Sequence, residues 1–299
     1  YIDCVLIILI SFPMLHIKIT VTLLTVILLG AMADVQLSTL YIKDDNAQIG
    51  SMALEQIFNA ANEAIVADGY FSIALSGGSI PNILSAGLAS SSVKTDFTKW
   101  RILFADERCV PLVDKDSSYK AFIPLFTQLN VPAESLLLID EVDNVDKAAL
   151  SYNDRFSALV PGGSVHLVLL GMGPDGHTAS LFPGFVHEVE GGGFFIPVST
   201  SPKPPPQRIT MALSTLNLAR RVAFIITGEA KAELLARFLL QVETHTAAST
   251  KDTFSCQYVE NLDIPASKLK LSAASETDSL ITLYLDKAAA SMLQIDSCA

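Results

Sequence analysis

The sequence predicts an α/β fold, a single domain built on an open, mostly parallel, Rossmann-like sheet with helices on both faces. Three observations carry that expectation. Short apolar stretches rich in β-branched residues alternate with stretches of helical period, the order that joins parallel strands through crossover helices. Glycine-rich turns directly follow several of those stretches, where open parallel sheets place their ligands. A chain of 299 residues is long enough to bury one large core.

Strands are expected at 35–40, 71–76, 101–106, 166–171, 194–198, 208–213, 221–227 and 280–285, each a compact run of β-forming residues. A helix is predicted over 46–69, where Ile49, Met52, Ala53, Ile57 and Ile65 share one face. A second is predicted over 228–243, with Leu234, Leu235, Phe238 and Leu239 inward. Pro81 suits the first turn of another helix. The polar, weakly patterned stretch 244–279 is read as a long surface connection, and "SPKPPPQR" (201–208) as a stiff loop.

The first residues are different in kind. From Cys4 to Gly30 runs an apolar segment long enough to span a bilayer if helical. Three readings stay open for residues 1–31: a signal peptide, a membrane anchor, or a segment outside the natural mature protein. The domain proper is expected over 34–299.

A net charge of −11 without runs of Lys and Arg excludes a nucleic-acid groove or a polybasic membrane patch. An anionic substrate therefore needs a few locally placed cations. Cys4, Cys109, Cys256 and Cys298 are scattered, with neither paired spacing nor clustered histidines, so no metal site and no disulfide framework is signalled. A reducing compartment follows.

Four strand ends carry chemistry-bearing residues. "SGGS" (Ser76, Gly77, Gly78, Ser79) lies before the helix that Pro81 begins, so its amides and hydroxyls suit an anion at a helix N-terminus. "ADER" (105–108) puts Asp106, Glu107 and Arg108 at another strand end; Arg108 is read as facing an anionic ligand and Glu107 as a structural ion-pair partner within the triplet. "GMGPDGHTAS" places Asp175 and His177 in a glycine turn before a helix expected to begin near Thr178, and His177 is the group able to take a proton near neutral pH. Lys203, Arg208 and Lys231 form a cation set for phosphate if the strand ends converge.

Taken together, "LSGGS", "FADERCVP" followed by "SSY", "GMGPDGHTASLFPG", "SPKPPPQRITMAL" and "TGEAKA", in that order, resemble the glucosamine-6-phosphate isomerase/6-phosphogluconolactonase family over about residues 40–295. "DER" and "GHTASLFP" stand where the deaminase branch has patterns like "DEY" and "GHIAFNEP", which favours the lactonase branch. The resemblance implies a cytoplasmic enzyme acting on a small sugar phosphate, with no metal or organic cofactor, since a lactone is already an activated ester. It implies the phosphate at Gly77, Gly78 and Ser79 with Arg208 and Lys231. His177 is then the general base, with Arg108 or the amides of the Gly171 to Gly176 turn receiving the oxyanion. Asp175 either holds the His177 tautomer or binds a sugar hydroxyl. A deaminase or isomerase, and a sugar-phosphate sensor without catalysis, are the competing readings.

Overall fold

Strand residues in the centre of this fold alternate between two apolar layers, and that alternation is what the short hydrophobic stretches encode. The computed structural model describes residues 36–90, 94–185, 193–244, 253–258, 263–271 and 280–296. In chain order the elements are β1 (Gln36–Lys43), α1 (Asn46–Asp68), β2 (Phe71–Leu75), α2 (Ile80–Gly87), β3 (Trp100–Phe104), β4 (Asp106–Arg108), α3 (Ser118–Leu129) and α4 (Val145–Leu159). They continue with β5 (Leu167–Leu170), β6 (Phe195–Val198), β7 (Arg208–Met211), α5 (Leu213–Asn217), β8 (Arg221–Ile226), α6 (Ala232–Phe238), β9 (Leu239–Thr244), β10 (Thr253–Tyr258), β11 (Leu280–Asp286) and β12 (Ile295–Asp296).

Nine strands form the main sheet in the order β12-β9-β10-β1-β11-β8-β5-β2-β3. It is mostly parallel, as the sequence predicts, and only β10 runs antiparallel to its neighbours. Phe71, Ile73 and Leu75 of β2 pack with Ile49, Ala53 and Ile57 of α1 and with Phe122 of α3. Ala74 of the same strand faces the opposite layer, which holds Tyr152 and Phe156 of α4 and Leu235 and Phe238 of α6. The helices therefore cover both faces.

Several expectations are corrected. β6 and β7 do not join the main sheet but pair with β4 as a separate antiparallel sheet of three strands. The stretch expected as one strand over 101–106 breaks after Phe104: the amide of Ala105 still bonds to Leu75, and the chain then turns into β4. The helix expected over 228–243 ends at Phe238 and runs directly into β9. Helix propensity is a weak prior there, and pairing with β10 and β12 buries Leu239 and Val242 instead. Within 244–279, read as a surface connection, β10 is a full member of the sheet with Phe254, Cys256 and Tyr258 buried. Its alternation was the period-two signal beneath a polar composition.

The chain separates into Tyr1–Val35 and Gln36–Ala299. The N-terminal apolar segment lies in the first unit, outside the described residues. Among the described residues no helix is long and apolar enough to cross a membrane.

Helices α1 and α2 cross through a pair of glycines. A Cβ added at Gly87 would stand 2.0 Å from the amide nitrogen of Ser51, and one at Gly50 would stand 2.0 Å from the carbonyl oxygen of Ile83. Both obstacles are backbone, which cannot rotate away. Gly87→Ala is therefore expected to cost about 3 kcal/mol, at the upper end for overpacking, and to lower the melting temperature by roughly 5–10 °C for a domain of this size. Thermal denaturation followed by circular dichroism checks it. The crossing matters for function because it sets the height of the α2 N-terminus above the sheet.

Candidate active site

In an open parallel sheet a crevice opens where chain connections depart in opposite directions from two adjacent strands. Here β2 continues to β3 on one side, while β5 and then β8 build outward on the other. The residues following β2, β5 and β8 meet above this point in a cavity of about 140 Å³. Ser76, Gly77, Gly78 and Ser79 line it from the β2 end, Gly171, Met172, Gly173 and His177 from the β5 end, and Thr227 and Lys231 from the β8 end. Asp106, Arg108 and Arg208 reach it from the small sheet. Lys203 and Asp175 are not in the lining; they stand against His177.

The glycine loop delivers the chain into α2 with Ser79 as N-cap and Pro81 in the first turn. The Ser79 hydroxyl makes no capping bond, so the first-turn amides keep the open donors of a helix start. Ser76, expected as a further hydroxyl donor, is already committed: its Oγ donates to Asp106 Oδ1 at 2.6 Å. The other Asp106 oxygen accepts from Ser180 Oγ at 2.8 Å. Ser180 in turn donates its amide to Thr210 Oγ1 at 3.1 Å and accepts from an Arg208 NH1 group at 3.4 Å. This buried network ties the loop after β2 to the turn after β5. Ser180 and Thr210 were missed by sequence reasoning, and Asp106 had no role assigned; the polar end of the apolar run 101–106 is a signal for Asp106, whereas Ser180 in its turn and Thr210 inside β7 carry none.

The two arginines differ. Arg208 is buried, with Nε donating to Pro205 O and NH2 to the carbonyl oxygens of Lys203 and Pro204, so much of its donor capacity holds the proline loop. Arg108 donates NH1 to Asp116 O at 2.5 Å, while its Nε is buried with no partner among the described residues. A buried N–H in that condition is costly unless something arrives to accept from it. Glu107 is not the ion-pair partner expected within its triplet. It accepts the amides of Arg108, Ser118 and Tyr119 at 2.7–2.9 Å, capping α3 from β4. Burial pushes its carboxyl above the usual range against those three donors.

The His177 turn also departs from expectation, because no helix begins near Thr178. Residues 178–181 close a tight turn through a Thr178–Leu181 bridge, so no dipole points at the imidazole from that side. The amides of Gly173 and Gly176 bond to His177 O and Gly173 O within the turn, both at 2.9 Å, and are not available to an oxyanion. The imidazole stacks on Phe182 with centroids 4.8 Å apart. Its Nδ1 is hydrogen-bonded to Asp175 Oδ1. A carboxylate can only accept, so this short contact assigns the proton to Nδ1. The Lys203 ammonium, 3.1 Å from Nδ1, stands beside that N–H rather than donating to the ring, and Nε2, without a partner among the described residues, carries the lone pair. Burial holds His177 below the usual histidine value; Asp175 opposes this and the Lys203 ammonium adds to it. Burial works against ionisation of Asp175, yet the hydrogen bond from His177 and the nearby Lys203 ammonium hold its carboxyl below the usual range. Among the described residues no group of His, Cys, Asp and Glu could hold a metal ion.

Fold and cavity together define an α/β protein whose strand-end cavity is lined by an open helix N-terminus and cationic side chains, with a hydrogen-bonded Asp–His pair beside it. The chain belongs to the family described as glucosamine-6-phosphate isomerases/6-phosphogluconolactonase, whose model matches residues 44–256. It is 38% identical over 188 residues to the 6-phosphogluconolactonase of Rattus norvegicus, covering 60% of this chain and 73% of that one. Against the probable 6-phosphogluconolactonase of Drosophila melanogaster it is 38% identical over 211 residues, covering 70% and 85%. The solved structure of 6-phosphogluconolactonase from Trypanosoma cruzi superposes with a TM-score of 0.65 at 25% identity, covering 86% of this chain and 97% of that one.

Proposed function

We propose that this chain hydrolyses 6-phospho-D-glucono-1,5-lactone to 6-phosphogluconate, the hydrolytic step of the oxidative pentose phosphate pathway. The observation that carries the reading is an imidazole whose Nδ1–H is held by Asp175 while its Nε2 carries a free lone pair, on the same small cavity as the open α2 N-terminus. The 6-phosphate lies against Gly77, Gly78 and Ser79 with Lys231, where first-turn amides and one ammonium suit a dianion. The ring then extends toward His177. Water attacks the lactone carbonyl as Nε2 takes its proton. The oxyanion accepts from the unpartnered Arg108 Nε. Collapse of the tetrahedral adduct breaks the bond to the ring oxygen, which receives the proton from Nε2, and the acid product ionises in water.

Freshly generated lactone, followed against its spontaneous hydrolysis, tests this directly. Acceleration proportional to enzyme supports the reading, whereas ammonia release from glucosamine 6-phosphate without lactone hydrolysis transfers the chain to the deaminase branch. Lys231→Ala is expected to raise KM about tenfold, the loss of one partly exposed charge contact to phosphate, and to leave kcat within about twofold; initial-rate kinetics separate the two. A small-molecule sugar phosphate as partner and a cytoplasmic location follow from the same reading. Imaging of the full-length chain with a C-terminal fluorescent tag tests the location.

A further inference from the structure

The proline loop places a lysine behind the base rather than at the phosphate. The sequence groups Lys203 with Arg208 and Lys231 as a phosphate cation, yet its Nζ stands 3.1 Å from His177 Nδ1 and 3.3 Å from Asp175 Oδ1, and it is absent from the cavity lining. Its backbone is held on both sides. Ser201 Oγ accepts from the Lys203 amide at 3.2 Å and donates to the Lys203 carbonyl at 2.9 Å, and Arg208 NH2 donates to that same carbonyl at 2.9 Å. The loop that Arg208 organises thus delivers an ammonium to one carboxylate that already has a histidine.

Two groups share a single negative charge there. The Nδ1–H of His177 and the ammonium of Lys203 both converge on Asp175 Oδ1. Asp106, from β4, also acts on the imidazole, Arg108, Arg208 and Lys231 line the same cavity, and Phe182 covers one ring face. An Asp–His pair by itself favours imidazolium, because the carboxylate stabilises the charged ring. A base that is already protonated cannot accept a proton from water.

We propose that Lys203 is a positioning residue for the hydrolytic reaction, sharing the Asp175 carboxylate so that His177 waits in its neutral, proton-accepting form. The ammonium compensates Asp175, which continues to orient the ring without drawing a second proton onto it. After the attack the same ammonium faces a newly formed imidazolium, and their repulsion favours return of the proton to the departing ring oxygen. The role in turnover rests on the lactonase reading; the effect on the imidazole does not.

The test is therefore run on both levels. In the free protein, the His177 ring resonances are titrated by NMR in wild type, Lys203→Met and Lys203→Arg, and kcat/KM for the lactone is measured across the same pH range. Loss of the charge in Lys203→Met is expected to move the His177 midpoint upward by on the order of one pH unit, the lower end for a single charge at contact distance. The acid limb of kcat/KM moves with it, while Lys203→Arg keeps the wild-type midpoint. An unmoved midpoint in Lys203→Met overturns the proposal. So does a rise in KM at every pH with the limb in place, which puts Lys203 on the substrate. A shifted NMR midpoint in a protein with no lactonase activity rejects the reaction and leaves the charge-sharing arrangement standing. Lys203→Gln repeats both measurements if the methionine variant does not fold.

Discussion

His177→Ala is expected to lower kcat by roughly 10²- to 10⁴-fold, the range for loss of a general base, with KM changed less than about threefold because the phosphate contacts remain. Stopped assays with the spontaneous rate subtracted measure the first quantity, and product inhibition by 6-phosphogluconate gives an independent measure of binding. The variant also removes the acid limb of the pH profile. Burial lowers the histidine value, so in the wild type that limb lies below the ordinary titration range of histidine: activity is held as pH falls toward neutrality and is lost only when Nε2 is protonated. The same lowering has a stability consequence of definite sign. A histidine whose folded value lies below its unfolded one favours the fold above the unfolded value, and that contribution is lost as pH falls through the folded one. An alanine variant that keeps its kcat refutes the general-base role outright, whatever becomes of the lactonase assignment.

How much of this was readable beforehand depends on the range of the interaction. Strand and helix periods are local, and β2, β5, β8 and β11 stand where the apolar runs were. The glycine loop before α2 was readable for the same reason, since SGGS followed by Ile80 and Pro81 is a local helix-start pattern. β10 was hidden because its partners, β1 and β9, are distant or misread in sequence. A polar strand is then indistinguishable from a connection. Lys203 and Arg208 looked alike in the proline loop, as two cations a few residues apart. What separates them is tertiary: one side chain is buried against the loop's own carbonyls and the other reaches an acid that belongs to the β5 end. Glu107 failed for a third reason. A buried carboxylate needs donors, and the sequence offers Arg108 next door, but three backbone amides, two of them at the start of α3, meet the same need without a second charge to desolvate.

Asp106 shows why the site is tied as it is. Its two oxygens take the hydroxyls of Ser76 and Ser180, one from each side of the crevice. The carboxylate thereby occupies both serine hydroxyls, which the proposed phosphate contacts do not use. On the proposed binding mode, phosphate affinity rests on the amides of α2 and on Lys231, and the network ties the β5 turn to that loop. One buried network thus ties the loop before α2 to the turn that carries His177, and in the proposed reaction a substrate anchored at the first meets Nε2 at the second.

That dependence on position makes Gly173→Ala the second large effect. Gly171 and Gly173 are indistinguishable in the string "GMG", but a Cβ at Gly171 would meet nothing nearer than 3.8 Å, whereas one at Gly173 would lie 2.0 Å from His177 Cε1, 2.1 Å from Nδ1 and 2.6 Å from Asp175 Oδ1. Gly173 has no left-handed backbone to preserve, as its φ is not among the positive ones, so the added methyl acts through space alone. It cannot be accommodated without turning the imidazole away from Asp175 or lifting the turn from the crevice. A displacement of about 1 Å at a reacting group costs on the order of 10²-fold in rate, and that loss is expected in kcat. KM should hold, because the proposed phosphate contacts lie after β2 and at the start of α2. The Nδ1 proton resonance of His177 reports the cause directly: in Gly173→Ala it should move toward the position of a solvent-exchanging imidazole, while in Gly171→Ala it should stay. A Gly173→Ala protein with wild-type kcat would mean that the Asp175–His177 contact can be rearranged freely, and the proton transfer would then have to be assigned to another group on the cavity wall.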